Sequence, residues 1–261
     1  MTVRFEVHGP IARIVLDRPR KKNAVDADMA RSLQAAFDRF EADAALRVGV
    51  VAAEYGDGRA VFCAGHDLTH FLETFDTEEE DAVTTADGFG GLTRRQRSKP
   101  LIAAVDGLAT SGGFEMALAC DIIVASTRAA FALAEVKWNL LPSAGGAVRL
   151  PRAVGRFVAM DALLTASEIP AERAYQLGLV SRLTAPGEAS AVAMQVAHEI
   201  CRNGPRAVQL TRAIAARAES IQDDEGWALL DDAALTLRNS QDLKEGLAAF
   251  RERREAKWSG T

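Results

Sequence analysis

Residues 101–121 read LIAAVDGLATSGGFEMALACD: an apolar run ending at Val105, a turn of small residues holding the pair Gly112-Gly113, then an Ala/Met/Leu stretch that carries Glu115. A short β-forming run followed by glycine and good helix formers predicts strand, turn and helix in that order. Glycines at a helix start let a ligand oxygen approach bare main-chain N–H groups, and the free donors and positive dipole end favour developing negative charge. The same residues also fit a plain strand-to-helix turn, with Glu115 favoured in the first helical turn by the dipole.

Outward from this stretch, residues 11–16, 48–52 and 122–125 are short β-branched runs bounded by charge, Gly or Pro, and they too predict strands. Residues 26–45 set Met29, Leu33, Phe37 and Phe40 at helical spacing behind Asp26, a capping residue, and so predict an amphipathic helix. Strands alternating with helices imply α/β architecture. After Gly145 the Ala-rich segments 190–201, 205–218, 224–238 and 242–254 read as helices. With no Pro/Ser-rich linker and no fixed-period repeat, the expected organisation is an α/β core over residues 1–200 and a helical extension over 201–261. Residues 76–85, acidic and poor in apolar side chains, read as a solvated loop or helix start, the part expected to move most.

Two more segments hold candidate chemistry. Residues 60–68, AVFCAGHDL, form a second glycine turn after a strand; a His66 N–H pointing inward would add a second donor to one carbonyl oxygen. The His66 side chain, beside Asp67, also suits a surface or capping role. No nucleophile for a triad accompanies it, and His70 adds no further metal-binding pattern. Residues 131–151, FALAEVKWNLLPSAGGAVRLP, surround Glu135 with Phe131, Leu133, Val136 and Trp138, a setting that raises a carboxyl pKa towards general-acid range. A wet ion pair from Glu135 to Lys137 or Arg149 is the competing reading. Glu115 and Glu135 lie too far apart to share a helical face, so only the fold could unite them.

Composition narrows the classes. The chain has 261 residues and a formal net charge of -5, unlike a surface built for nucleic acid or anionic lipid. Its three cysteines, Cys63, Cys120 and Cys201, are scattered without CxxC or Cys/His clustering, which argues against a disulfide framework and a zinc site. Met1 to Pro10 lacks the apolar core of a signal peptide, and no run approaches the roughly 18 apolar residues of a spanning helix. The expectation is a cytoplasmic protein with no membrane or nucleic-acid partner and no metal.

Taken in order, these segments resemble the crotonase (enoyl-CoA hydratase/isomerase) family. The resemblance runs from Leu16-Asp-Arg-Pro and Asn23-Ala-Val-Asp26 through Ala64-Gly-His-Asp-Leu68, Gly112-Gly-Phe-Glu-Met-Ala and Pro142-Ser-Ala-Gly-Gly to Ala174-Tyr-Gln-Leu-Gly-Leu-Val180 and Glu245-Gly-Leu-Ala-Ala-Phe-Arg-Glu-Arg-Arg254. It implies a spiral of ββα units with a helical C-terminal trimerisation region, assembled as a homotrimer or homohexamer. It implies an enoyl-CoA hydratase with Glu115 and Glu135 as catalytic acids, and the N–H groups of His66 and Gly112 as the oxyanion hole. Ala64, Asp67, Leu68, Trp138, Phe250 and Arg253 would bind the acyl-CoA substrate. No cofactor is implied beyond the coenzyme A of that substrate. Departures include Leu133-Ala-Glu135 for the family's Gln-Pro-Glu, Ser111 for the first of three glycines, and His66 where Gly or Ala is common. Phe131-Ala-Leu, Arg149-Leu-Pro151 and Ala256-Lys-Trp258 are similar to the carnitinyl-CoA dehydratase branch. Isomerase activity, or a non-catalytic CoA-binding scaffold, are the other readings.

Overall fold

The computed structural model describes residues 2–74, 83–218 and 220–261. An antiparallel hairpin of β1 (Val3–His8) and β2 (Ile11–Leu16) opens the chain. β1 goes beyond the expectations above, although Val3, Phe5 and Val7 alternate with Arg4, Glu6 and His8, the period of a strand with one covered face. In α1 (Ala27–Ala42) the Asp26 carboxylate accepts the Met29 N–H at 2.9 Å, and Met29, Leu33, Phe37 and Phe40 are buried. The helix stops at Ala42, short of residue 45, because Asp43 turns extended; there the Lys99 ammonium donates to the Phe40 and Asp43 carbonyls at 2.7 Å each.

The chain then repeats one manoeuvre. β3 (Val48–Ala53) leads to β4 (Val61–Cys63) and α2 (Leu68–Thr74). A small hairpin, β5 (Thr84–Thr85) with β6 (Gly88–Phe89), precedes β7 (Leu101–Val105), β8 (Leu108–Thr110) and α3 (Gly112–Leu118). β9 (Ile122–Ser126) and β10 (Ala130–Ala132) are followed by α4 (Gly146–Val154), α5 (Arg156–Thr165), β11 (Ile169–Pro170), α6 (Ala171–Gln176) and β12 (Arg182–Thr184). One sheet has the order β1-β2-β3-β7-β9-β12, and a second has β11-β10-β8-β4. In each of the pairs β3/β4, β7/β8 and β9/β10 the first strand joins the larger sheet and the second the smaller, so the chain winds as a spiral of ββα units, the expected class.

Alternation along the buried strands divides the core. Val48, Val50, Ala52, Ile102, Ala104 and Val124 face Ala189, Ala193, Val196 and Ala197 of α7 (Ala189–Cys201), whose small residues permit close approach to the sheet. Val51, Ala53, Ala103 and Val105 point the other way, into the larger core shared with Phe37, Phe62, Phe114 and Phe131. After α7 come α8 (Pro205–Ala215), α9 (Asp223–Arg238) and α10 (Gln241–Glu252). Of the acidic stretch 76–85, residues 76–82 lie outside the described residues; Val83 is fully buried, whereas Thr84, exposed, and Thr85 pair with Phe89 and Gly88 in the short hairpin rather than forming a loop or a helix start. No helix among the described residues is long and apolar enough to cross a membrane.

Candidate active site

The loop between β4 and α2 is pinned from one side. Val25 N–H donates to the Gly65 carbonyl at 2.7 Å and Asp67 N–H to the Val25 carbonyl at 2.9 Å, a parallel bridge of Val25 with His66. Because successive main-chain groups alternate along such a bridge, the His66 N–H and C=O point away from Val25. The Asp67 carboxylate is held in this arrangement by Arg18 Nη1 at 2.7 Å, and Arg18 Nη2 reaches Asp26 at 2.8 Å.

The start of α3 presses on this loop through bare backbone. A Cβ on Gly113 would stand 2.2 Å from the Cys63 carbonyl oxygen, and one on Gly65 would stand 2.9 Å from the Gly112 nitrogen. Only glycines permit that approach, so the N-terminal turn of α3 and the His66 loop meet at one place. Glu115 in that turn is 3% exposed, and its Oε1 accepts the Gly146 N–H at 2.8 Å. Burial pushes its pKa up, while the Gly146 and Ala144 N–H groups and the positive Arg149 oppose the rise.

Glu135 arrives from the neighbouring strand. β8 and β10 run parallel with Thr110 opposite Ala132, and the Ser111 N–H continues the ladder onto the Ala132 carbonyl at 2.9 Å. A short 3₁₀ turn, Glu135–Trp138, follows β10. Both Glu135 carboxylate oxygens are buried and neither accepts a fully formed hydrogen bond. Burial pushes the carboxyl up to about 7 and the Glu115 charge adds to the rise, while the residue's own backbone N–H and the Ser111 hydroxyl oppose it. The alternative of a wet ion pair fails: Arg149 instead donates to the carbonyls of Thr93 at 2.6 Å and Ala144 at 3.2 Å.

These elements enclose a cavity of about 360 Å³, within the size range of small-molecule sites. Glu115, Glu135, Gly112, His66, Ala64, Leu68 and Trp138 all line it. Asp67 does not, its carboxylate being turned to Arg18. Phe250 and Arg253 are not in its lining either: they stand at the end of α10, with Phe250 86% exposed. The sequence reading missed further lining residues, among them Phe71, Phe89, Thr93, Arg94, Leu140 and Leu141. The His66 ring packs edge-on to Phe71, centroids 5.3 Å apart. It also missed Gly146 as the donor to Glu115, for which Gly145-Gly146 was the available signal. No cluster among the described residues could hold a metal ion; the side chain of His70 lies outside them.

A family model described as enoyl-CoA hydratase/isomerase matches residues 6–261. A carnitinyl-CoA dehydratase from Salmonella arizonae is 36% identical, the match covering 99% of this chain and 98% of the relative; one from Proteus mirabilis is 35% identical with the same coverage. Among solved structures, an enoyl-CoA hydratase from Mycobacterium tuberculosis is similar at 40% identity and a TM-score of 0.92, over 100% of this chain and 99% of the other. An enoyl-CoA hydratase from Bacillus anthracis matches with the same TM-score at 28% identity over the whole of both chains.

Proposed function

Since the chain belongs to the enoyl-CoA hydratase/isomerase family, we propose that it adds water reversibly across the C2–C3 double bond of a 2-enoyl-CoA thioester. The observation that carries this reading is the meeting of Glu115 and Glu135 in one cavity beside the turn where α3 abuts the His66 loop. The N–H groups of His66 and Gly112 would hold the thioester oxygen and stabilise the enolate that forms as C3 is attacked. Glu115, oriented by Gly146, takes a proton from the water; Glu135, with a pKa near neutrality, delivers one to C2. As the two carboxyls influence each other, the pair titrates as a unit.

Within this proposal the thioester arm of coenzyme A crosses the loop at Ala64 and Leu68, the main chain of Asp67 contributing rather than its carboxylate. Phe250 and Arg253 reach the nucleotide from a neighbouring subunit of a homotrimer or homohexamer, and residues 201–261 form the oligomerisation region. Large apolar side chains exposed on α9 and α10, among them Trp227, Leu235, Leu247 and Phe250, support that assignment. A cytoplasmic location fits the three free cysteines.

The full-length similarity to carnitinyl-CoA dehydratases favours a second reading, the same elimination on an acyl chain bearing a quaternary ammonium, with the Trp138 ring as a cation–π surface. Both readings face one experiment. Hydration is followed on a panel of enoyl-CoA esters that includes crotonobetainyl-CoA, using wild type, Glu115→Gln and Glu135→Gln. Each variant is expected to lose on the order of 100-fold or more in kcat while still binding coenzyme A; full activity in either would defeat the assignment. Solvent oxygen in the product separates hydration from isomerisation, and binding without any turnover would leave only a scaffold.

A further inference from the structure

Arg149 sits where a cation is poorly placed. It is the fourth residue of α4, near the positive end of that helix, it is half-buried, and Arg97 and Arg152 add further positive charge around it. Neither of its hydrogen bonds goes to a carboxylate: Nη1 donates to the Ala144 carbonyl at 3.2 Å and Nη2 to the Thr93 carbonyl at 2.6 Å. Those two carbonyls belong to different parts of the site. Ala144 is two residues before Gly146, whose N–H donates to Glu115 Oε1 at 2.8 Å. The chain between them turns at Gly145, with φ 112°, and a Cβ on that glycine would collide with Arg149 Nη1. The Thr93 hydroxyl accepts the Phe89 N–H at 2.9 Å, and the Phe89 ring lies against Gly112, so close that a Cβ there would stand 2.7 Å from two ring carbons. One guanidinium thus joins the loop that supports Glu115 to the segment that rests on the start of α3.

Resting on the hydratase reading, we propose that Arg149 is a positioning residue: its guanidinium, forked across the Ala144 and Thr93 carbonyls, fixes the Gly145 turn so that the Gly146 N–H holds the Glu115 carboxylate in place as the base. A planar fork suits two carbonyls from two segments, which a single ammonium does not match. Facing Glu115 are Glu135, on the 3₁₀ turn after β10, and, from the start of α4, Arg149 with the Ala144 and Gly146 N–H groups, which favour the ionised form. Facing Arg149 are Glu115, Arg97, Arg152 and Cys120; Arg97 is paired with Asp121 at 2.6 Å, and burial pushes the Cys120 thiol up to about 12, so it is uncharged. The carboxylate that offsets the crowding of cations is Glu115.

Two variants separate this role from a purely structural one. Arg149→Gln removes the charge and the fork; Arg149→Lys keeps the charge on a head that cannot fork. Losing support for the ionised form raises an acid's pKa. In the substrate-free protein the Glu115 carboxyl should therefore titrate at higher pH in Arg149→Gln and at an intermediate pH in Arg149→Lys, read by carbon-13 NMR and assigned with Glu115→Gln. On an enoyl-CoA substrate the acid limb of kcat should move to higher pH in the same order, because the base must be ionised. At neutral pH kcat should fall about tenfold in Arg149→Gln with less than about twofold change in KM. A purely structural role would lower the unfolding temperature and leave both the titration and the acid limb as in wild type. That result in Arg149→Gln, or in Arg149→Lys should the first variant fail to fold, would overturn the proposal. Because the titration is read without substrate, a protein inactive on every enoyl-CoA would sink the hydratase reading and leave the Arg149 clamp to be judged by the shift of Glu115 alone.

Discussion

Replacing Gly113 with alanine tests the joint on which the site stands. The added methyl would lie 2.2 Å from the Cys63 carbonyl oxygen and 2.7 Å from both the Cys63 carbonyl carbon and its Cβ. Ordinary contact demands more than 3 Å, so α3 and β4 must separate by roughly 1 Å. Neither side can yield by rotating a side chain, since backbone faces backbone and both elements are buried. Overpacking of this kind costs about 1–3 kcal/mol, which at about 2–4 °C per kcal/mol lowers the unfolding temperature by roughly 2–12 °C. The same displacement shifts Glu115 and the Gly112 N–H relative to the His66 loop, and a 1 Å error in reacting geometry costs on the order of 100-fold in rate. Thermal unfolding by circular dichroism and hydration of crotonyl-CoA measure the two effects. Gly226→Ala in α9, where the nearest atom to the new methyl is Ile221 Cδ1 at 3.8 Å, is the control and should gain about 0.5–1 kcal/mol. If Gly113→Ala matches wild type in both assays, the backbone contact between α3 and β4 is wrong.

Other outcomes follow from single residues. Lys99→Met keeps the bulk but leaves the Phe40 and Asp43 carbonyls without their donor, for an expected loss of about 2–3 kcal/mol in urea unfolding; an unchanged midpoint would dismiss Lys99 as the cap of α1. Glu135 binds its proton more tightly folded than unfolded, so the stability it contributes is present at low pH and is lost as pH rises from its ordinary 4.5 to about 7. Between pH 5 and 8 wild type should therefore lose about 2 kcal/mol relative to Glu135→Gln, allowing for partial exposure, and parallel curves would contradict the raised pKa. Phe250→Asp should shift the protein towards monomer in light scattering without unfolding it; an unaltered mass would remove α10 from the subunit interface.

What the sequence disclosed depended on the range of the contacts involved. The strands at 11–16, 48–52, 101–105 and 122–125 were legible because strands covered on both faces read as unbroken apolar runs. α1 was legible from its spacing, but its end was not, since the Lys99 that caps it lies far along the chain. β8 and β10 are three residues each, too short for any periodicity, yet their parallel pairing is what brings Glu135 beside Glu115. The resemblance, not local pattern, put the two glutamates in one pocket. It also offered Asp67 as a ligand contact, where the structure shows its carboxylate committed to Arg18, a partner that nothing near Asp67 in sequence announces.

The junction of α3 with the β4 loop has an implication for how such a protein can change. Groups offered by the peptide chain itself are indifferent to which side chain their residue bears, proline apart, so point substitutions rarely erase them; at Gly65 and Gly113 they are resisted outright by lack of room. Trp138, Leu140 and Leu141, on the part of the lining that follows Glu135, stand at least 40% exposed and carry no comparable restraint. Inherited variation can therefore accumulate there and redirect what is accepted while the reactive centre stays as it is.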